Sequence, residues 1–301
     1  MKSRKSNIFI IFLFLVGLGV LLYPTIADQW NTYKQERLIT EYQEKVSEKQ
    51  DFSDEWGKAQ AFNDSLEYNA LYSGEGQDES IQLEDTEYWK VLNIAGDGVM
   101  GYITIPKIGL ELAIYHGVGD DILQTGVGHV SGSNLPIGGE TTHCVLPAHK
   151  GLPSARLFTD IDQLEKGDKI YIHVLDQVLA YEVDQVQDMI DKDDSDTLGK
   201  ALDLQEGKDL ITLFTCTPYG INSHRLLVRG IRVEYNGELD ADNVSEGMLE
   251  SVQDYYMIYL LIGAATVILF VIIGRNIKIR IQSKNKDRNI SKEEKEEEER
   301  K

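Results

Sequence analysis

The chain has 301 residues, enough for one domain of ordinary to large size with extensions. Its 30 Lys and Arg against 50 Asp and Glu give a formal charge of −20. This balance argues against a nucleic-acid partner, because phosphate binding needs a basic face. The only two cysteines, Cys144 and Cys216, exclude a disulfide framework, so apolar burial must stabilise the core. One Cys144–Cys216 bond stays formally possible, but it is incompatible with a nucleophilic role for Cys216.

An apolar segment, residues 8–27, follows a short basic stretch, residues 1–7, that contains Lys2, Arg4 and Lys5. Its length is close to the ~20 residues that a bilayer requires. A cleaved signal peptide has the same basic start and apolar core. No convincing small-x-small cleavage site follows Tyr23, so we expect an uncleaved transmembrane anchor with residues 1–7 in the cytoplasm.

Residues 28–92 are expected to form an extracellular helical region that ends in a loop. Apolar side chains recur at helical spacing in two stretches, residues 30–38 and 56–70. A glycine-rich acidic loop, residues 73–78, follows them.

Residues 93–236 contain short β-like runs separated by turn signals. Ile170, Ile172 and Val174 alternate with polar or amphipathic residues, which is the period of a half-buried strand. Short strands without long intervening helices predict an all-β sandwich or closed barrel. The predicted strands are residues 100–105, 112–115, 143–146, 169–175, 178–186, 209–215 and 224–235.

A second transmembrane helix is predicted at residues 255–274, after a linker at residues 237–254. The apolar run opens on Tyr255 and Tyr256 and is followed by Arg275 and other basic residues, as interfacial belts and the positive-inside rule require. The charged tail, residues 275–301, is then cytoplasmic. With two spans, both termini lie in the cytoplasm and the middle of the chain lies outside the cell.

The most informative stretch is residues 212–230, in which a strand-like run ends on Cys216. A loop with Pro218 and Gly220 follows, and a second apolar run begins at His224 and Arg225. As an antiparallel hairpin, the two runs bring the Cys216 thiol and the Arg225 guanidinium to the same end of a sheet. A cation there favours thiolate over thiol and can donate to an oxyanion.

A second block, residues 142–153, is a strand that runs into a loop and delivers His149 at its end. An imidazole beside a cysteine can act as base or ion-pair partner and can later protonate a leaving amine. His143, at the strand start, is interpreted as structural or as a partner of the site, and His224 as lying on the hairpin rather than across the site.

Other polar residues receive structural interpretations. Cys144 is expected to be a buried small hydrophobe. Arg229 and Arg232 are expected to form surface ion pairs. A zinc site from His143, Cys144 and His149 is disfavoured because four well-spaced ligands are not in evidence.

Both blocks resemble the sortases, the cysteine transpeptidases of Gram-positive bacteria. The Thr-Leu-Phe-Thr-Cys string at 212–216 matches their signature, and residues 143–158 resemble the His block of the pilus-assembling branch, class C. The resemblance implies a closed β-barrel of about eight strands with N-terminal helices, here flanked by the two predicted transmembrane helices. It implies Cys216 as nucleophile, His149 as acid and base, and Arg225 as stabiliser of the oxyanion or substrate, with no cofactor and no metal.

The same resemblance implies the substrates and partners. Sortases cleave an LPxTG-like sorting signal after its Thr, and the class C enzymes pass the acyl group to a lysine of the next pilin. The expected partners are therefore pilin subunits, LPxTG-bearing surface proteins and the membrane. A housekeeping sortase that anchors proteins to the cell wall is the alternative within enzymes, and a non-catalytic surface scaffold or adhesin is the alternative of another class.

One stretch departs from the class C pattern. Many members carry an Asp-Pro-aromatic motif on a lid that plugs the site, whereas residues 74–80 here have neither the proline nor the aromatic side chain. We therefore expect the loop at residues 73–80 to be mobile and the resting enzyme to be only weakly self-inhibited.

Overall fold

The structure is a computed structural model that describes residues 2–49, 51–70, 86–237 and short runs between 260 and 288. The loop expected to replace the lid, residues 73–80, lies outside the described residues, as does nearly all of the predicted linker, residues 237–254. The chain divides into two compact units, one made of Met1–Leu22 and Val252–Lys301 and the other of Tyr23–Ser251.

Helix α1, Lys2–Glu48, carries the apolar segment predicted as an anchor. Its stretch Phe12–Glu48 contains an 18-residue window with a mean hydropathy of 1.5, so this helix is long and apolar enough to cross a bilayer. Side chains such as Phe12 and Leu13 are 61 % and 60 % exposed. The second predicted span, residues 255–274, lies largely outside the described residues and stays a prediction.

In the unit Tyr23–Ser251, the second half of α1 packs on the barrel through polar side chains that meet backbone groups. Gln35 donates to the carbonyl of Thr125 at 2.6 Å and accepts from the amide of Ala113 at 2.8 Å. The Tyr42 hydroxyl accepts from the amide of Leu175 at 2.8 Å. Two shorter helices, α2 at Ser53–Ser65 and α3 at Glu87–Lys90, follow.

Eight strands form one sheet that curls into a barrel, in the spatial order β3-β2-β1-β5-β6-β8-β7-β4. Most neighbours are antiparallel, while the pairs β2–β3 and β4–β7 are parallel. The strands are β1 Val99–Ile105, β2 Leu110–His116, β3 Val127–His129, β4 Thr142–Pro147, β5 Lys169–Val174, β6 Gln177–Asp191, β7 Asp209–Thr217 and β8 His224–Val233.

The seven predicted strands are confirmed, and the barrel of about eight strands has eight, although it is nearly closed rather than closed. The seam lies between β3 and β4, where no ladder forms because β3 has only three residues before the chain turns away. Beyond β3, the Val130 amide donates to the Val145 carbonyl at 3.1 Å and the Asn134 amide donates to the His143 carbonyl at 3.1 Å. These two hydrogen bonds connect the chain after β3 to β4. Strand β3 was not predicted because three residues are too few for an alternating pattern to appear in the sequence.

The two faces of the sheet bury different clusters. Leu146, Leu213 and Leu226 belong to the main core inside the barrel. On the outer face, Val145 and Leu227 pack in a second cluster with Leu198 and Leu202 of helix α5, Ser195–Leu202. Strand alternation sends neighbouring residues to opposite faces, so both clusters follow from the same sequences. The outer cluster forms the floor of the candidate site.

Candidate active site

Cys216 lies next to the last residue of β7, opposite Arg225 on β8. The antiparallel register pairs Cys216 directly with Arg225 and Phe214 with Leu227. Side chains of directly opposed residues project to the same face of a sheet. The hairpin predicted from the sequence therefore places the thiol and the guanidinium side by side on the outer face.

His149 reaches the same end of the sheet through the parallel pairing of β4 with β7. The ladder ends with Pro147 opposite Phe214, and the same register continued by two residues brings His149 level with Cys216. The intervening Ala148 is held twice: its amide donates to the Phe214 carbonyl at 3.1 Å, and its carbonyl accepts from the Thr215 hydroxyl at 2.7 Å. These bonds fix the position from which the imidazole projects.

The loop after His149 folds back and restrains the histidine from the other side. The amide of Phe158 donates to the His149 carbonyl at 3.1 Å. The next residue, Lys150, is buried and pairs with Asp162 at 2.5 Å. His149 therefore stands on a well-anchored turn.

Cys216, His149 and Arg225 line one cavity of about 360 Å³ in the unit Tyr23–Ser251. The structure thus brings together the three side chains that the sequence analysis singled out. The remaining wall is apolar on the side of α5 and of the outer cluster. Other lining residues are Ala70, Val118, Asp120, Leu123, Val130, Val145, Pro147, Ala148, Lys192, Ser195, Leu198, Leu202, Phe214 and Thr215.

The electrostatics of His149 favour a neutral imidazole. Partial burial lowers the pKa of His149 below its ordinary value of 6.5, and the carboxylate of Asp120 offsets part of this effect by raising it. An imidazole that is mainly neutral near pH 7 can accept a proton and return it, which is the requirement for a general base that later acts as an acid.

Among the residues that the structure describes, backbone carbonyls and no carboxylate orient Arg225. Its Nη1 donates to the carbonyls of Asn222 and His224, each at 3.2 Å, and the guanidinium lies 6.0 Å from the centre of the Phe214 ring. Both hydrogen bonds use Nη1, which leaves the Nε and Nη2 protons outside them. A guanidinium held in this way can direct donors at an oxyanion beside Cys216.

The neighbouring polar residues take structural positions. His143 is fully buried, with Nε2 2.7 Å from the Thr212 hydroxyl and Nδ1 3.0 Å from the Asp203 carbonyl. His224 contacts the Ser223 hydroxyl at 2.8 Å on the β7–β8 hairpin. Both cysteines are free, and Cys144 belongs to the barrel core.

The two other arginines of β8 form ion pairs, as expected, although the pair of Arg229 is largely buried rather than at the surface. Arg229 makes two hydrogen bonds to the carboxylate of Asp184, at 2.9 and 2.6 Å, and its side chain is only 13 % exposed. Arg232 pairs with Asp209 at 3.3 Å. Both arginines thus have carboxylate partners, whereas the hydrogen bonds of Arg225 described above go to backbone carbonyls.

The sequence analysis missed Asp120 and the α5 wall. Asp120 opens the short helix α4, Asp120–Leu123, which is too short to show a helical period. Helix α5 carries buried Leu198 and Leu202 four residues apart, a spacing that would have predicted it.

Comparisons with known proteins agree with this site. The sortase domain family model matches residues 103–233. Sortase D of Bacillus subtilis is 33 % identical over 136 residues, a match that covers 44 % of this chain and 63 % of that protein.

Two solved structures match more of the chain. Sortase C of Streptococcus pneumoniae is 42 % identical with a TM-score of 0.57, and the match covers 67 % of this chain and 100 % of that one. Sortase C1 of Streptococcus agalactiae is 40 % identical with a TM-score of 0.57, covering 66 % of this chain and 100 % of that one. With an eight-stranded barrel and a Cys-His-Arg cavity at the ends of β4, β7 and β8, the chain belongs to the sortase family, the cysteine transpeptidases.

Proposed function

We propose that this sortase is a membrane-anchored class C enzyme that cleaves LPxTG-like sorting signals and transfers the acyl group to a lysine amine of a pilin. The observation that carries the proposal is the cavity lined jointly by Cys216, His149 and Arg225. Class C is supported by the two Sortase C structures at 42 % and 40 % identity, the first of which is described with its pilin substrate specificity.

In the first step, neutral His149 takes the proton of the Cys216 thiol, and the resulting thiolate attacks the carbonyl carbon of the sorting-signal threonine. The developing oxyanion faces the Arg225 guanidinium, where preorganised donors stabilise the transition state. The tetrahedral intermediate collapses, the C–N bond to glycine breaks, and the imidazolium of His149 gives its proton to the leaving amine. The product is a thioester on Cys216 and a neutral His149.

In the second step, an amine attacks the thioester carbonyl carbon while His149 takes one of its protons. The C–S bond breaks, the thiolate of Cys216 leaves, and an amide joins the two chains. The apolar wall formed by Val145, Leu198 and Leu202 limits water around the thioester, which favours aminolysis over hydrolysis.

Helix α1 supports the membrane placement. As the apolar anchor, it would hold the unit Tyr23–Ser251 outside the cell, where sorting signals and pilins are displayed. The formal charge of −20 fits this set of partners and disfavours nucleic acid.

The proposal is tested with the full chain in detergent micelles and a peptide that contains Leu-Pro-x-Thr-Gly. Intact mass should show an acyl adduct on the wild type and on Cys144→Ala, and no adduct on Cys216→Ala. A pilin fragment with a single lysine should then consume the adduct faster than a cell-wall peptide amine does. An adduct that reacts only with the cell-wall amine would instead identify a wall-anchoring enzyme, and no adduct at all would reject the proposed function.

A further inference from the structure

The charged residues of the cavity are unevenly distributed. His149, Lys192 and Arg225 contribute the basic groups. Among the described residues that line the cavity, Asp120 is the only carboxylate. Charged groups in a site of this kind select the charge of what binds there, so a single acidic position within a basic lining distinguishes one part of the wall from the rest.

Asp120 is presented to solvent by a fixed backbone. It is the first residue of α4, directly after Gly119, and its side chain is exposed. The amide of Leu123 donates to the Gly119 carbonyl at 2.9 Å, and the amide of Gln124 donates to the Asp120 carbonyl at 3.0 Å. The backbone that carries the carboxylate is therefore fixed, while the carboxylate oxygens remain accessible to an incoming ligand.

The Asp120 carboxylate also acts electrostatically on His149. It raises the pKa of the imidazole against the larger, opposite effect of burial. Asp120 and His149 line the same cavity, so the carboxylate shares it with the group that must remove a proton from the acceptor amine. A cation bound by Asp120 would be held beside the base that deprotonates it.

We propose that Asp120 forms the subsite that receives the ammonium of the acceptor, so that the cavity selects a cationic primary amine in the second step. This inference rests on the proposed function, which supplies the thioester and the amine. It adds the residue that recruits the amine and the charge that the amine must carry.

The acceptor binds as R–NH₃⁺ against the Asp120 carboxylate and gives one proton to neutral His149. The freed lone pair attacks the thioester carbon, and the resulting oxyanion faces Arg225. Collapse breaks the C–S bond, Cys216 leaves as thiolate, and the second amine proton passes to solvent as the amide forms.

The test compares two nucleophiles on the preformed acyl-enzyme of the full chain in detergent micelles. Nα-acetyl-lysine amide is a cation near pH 7, whereas hydroxylamine is neutral there. We expect Asp120→Asn to lower the ratio of the lysine rate to the hydroxylamine rate about fivefold, the size of an exposed ion pair. Raising the salt concentration should lower the wild-type ratio of the lysine rate to the hydroxylamine rate, because salt screens exposed charges.

Two variants calibrate this ratio. Asp121→Asn removes the neighbouring exposed carboxylate, which is not among the lining residues, and should leave the ratio at its wild-type value. Asp120→Glu should restore most of the lysine preference.

Three outcomes would overturn the subsite. An equal loss with both nucleophiles in Asp120→Asn would show that Asp120 acts only through the basicity of His149. Unchanged rates with both nucleophiles would show that the acceptor binds elsewhere. A wild type without a thioacyl adduct would remove the proposed function and the subsite together, and the mass measurement reports this separately from the ratio.

Discussion

Strands β4 and β7 and the turns at their ends carry two histidine–cysteine sets with opposite environments. Cys144 and His143 are sealed in the body of the sheet, with 4 % and 0 % of their surfaces exposed. Cys216 and His149 stand where the strands end and line the cavity. The residue types are the same, so their position relative to the strand ends decides which set can meet a substrate.

Burial also fixes the protonation of the sealed set. It raises the pKa of the Cys144 thiol well above its ordinary value, and the Asp209 carboxylate adds to the effect. Burial lowers the pKa of His143 to about 4. A thiol without access to its thiolate form and a neutral, fully bonded imidazole can stabilise the fold but offer no nucleophile.

The largest effect is expected from replacing each of the two cysteines in turn by alanine. Cys216→Ala should abolish transpeptidation while the domain stays folded, because Cys216 supplies the only thiol among the described residues of the cavity lining. Cys144→Ala is the matched control and should retain activity, with a loss of stability from the small void in the barrel core. Peptide cleavage and circular dichroism measure the two properties. Activity that survived in Cys216→Ala and vanished in Cys144→Ala would reverse the assignment.

The second prediction makes the same comparison for histidines. His149→Ala should slow transpeptidation by ~10²–10⁴, the usual cost of losing an acid–base group. His224→Ala removes a histidine of the β7–β8 hairpin that contacts Ser223 and should leave most activity. Steady-state rates with an LPxTG-like peptide decide between them, and the reverse ranking would move the base onto the hairpin.

The third prediction concerns arginines on one strand. Arg225→Lys keeps the charge but loses the planar fork of donors, so we expect the turnover rate to fall by about 10². Arg232→Lys is the control, since Arg232 pairs with Asp209 away from the cavity lining. Near-normal turnover in Arg225→Lys would mean that only the long-range charge matters.

The Cys216–Arg225 pairing could be predicted because it is local. Two apolar runs joined by a loop with Pro218 and Gly220 fold as a hairpin, and a hairpin fixes which residues face each other. The position of His149 could not be derived in this way. It depends on the parallel pairing of β4 with β7, where the contact between Thr215 and Ala148 joins residues 67 apart in sequence. Only the resemblance to a known family supplied it.

The remaining gaps have similar causes. Strand β3 has three residues and helix α4 has four, so neither spans enough positions for a period to show. The nearly closed seam and the cavity position of Asp120 both depend on these two short elements. Strand β5 was correctly predicted because its six residues alternate between aliphatic and more polar side chains, which is enough for the two-residue period of a strand to show.

The smallest expected effect is the contribution of buried His143 to the pH dependence of the free energy of unfolding. His143 has a pKa of about 4 in the fold, below its ordinary value of 6.5, so the unfolded chain binds the proton first as the pH falls. The free energy of unfolding should therefore decrease between pH 6.5 and pH 4. We expect His143→Gln to reduce this decrease by on the order of 2 kcal/mol, as followed by denaturant titrations at several pH values. His129 and His173, whose pKa values burial also lowers to about 4, should preserve the rest of the dependence. A pH dependence in His143→Gln identical to that of the wild type would show that His143 accepts a proton in the folded state as readily as in the unfolded chain.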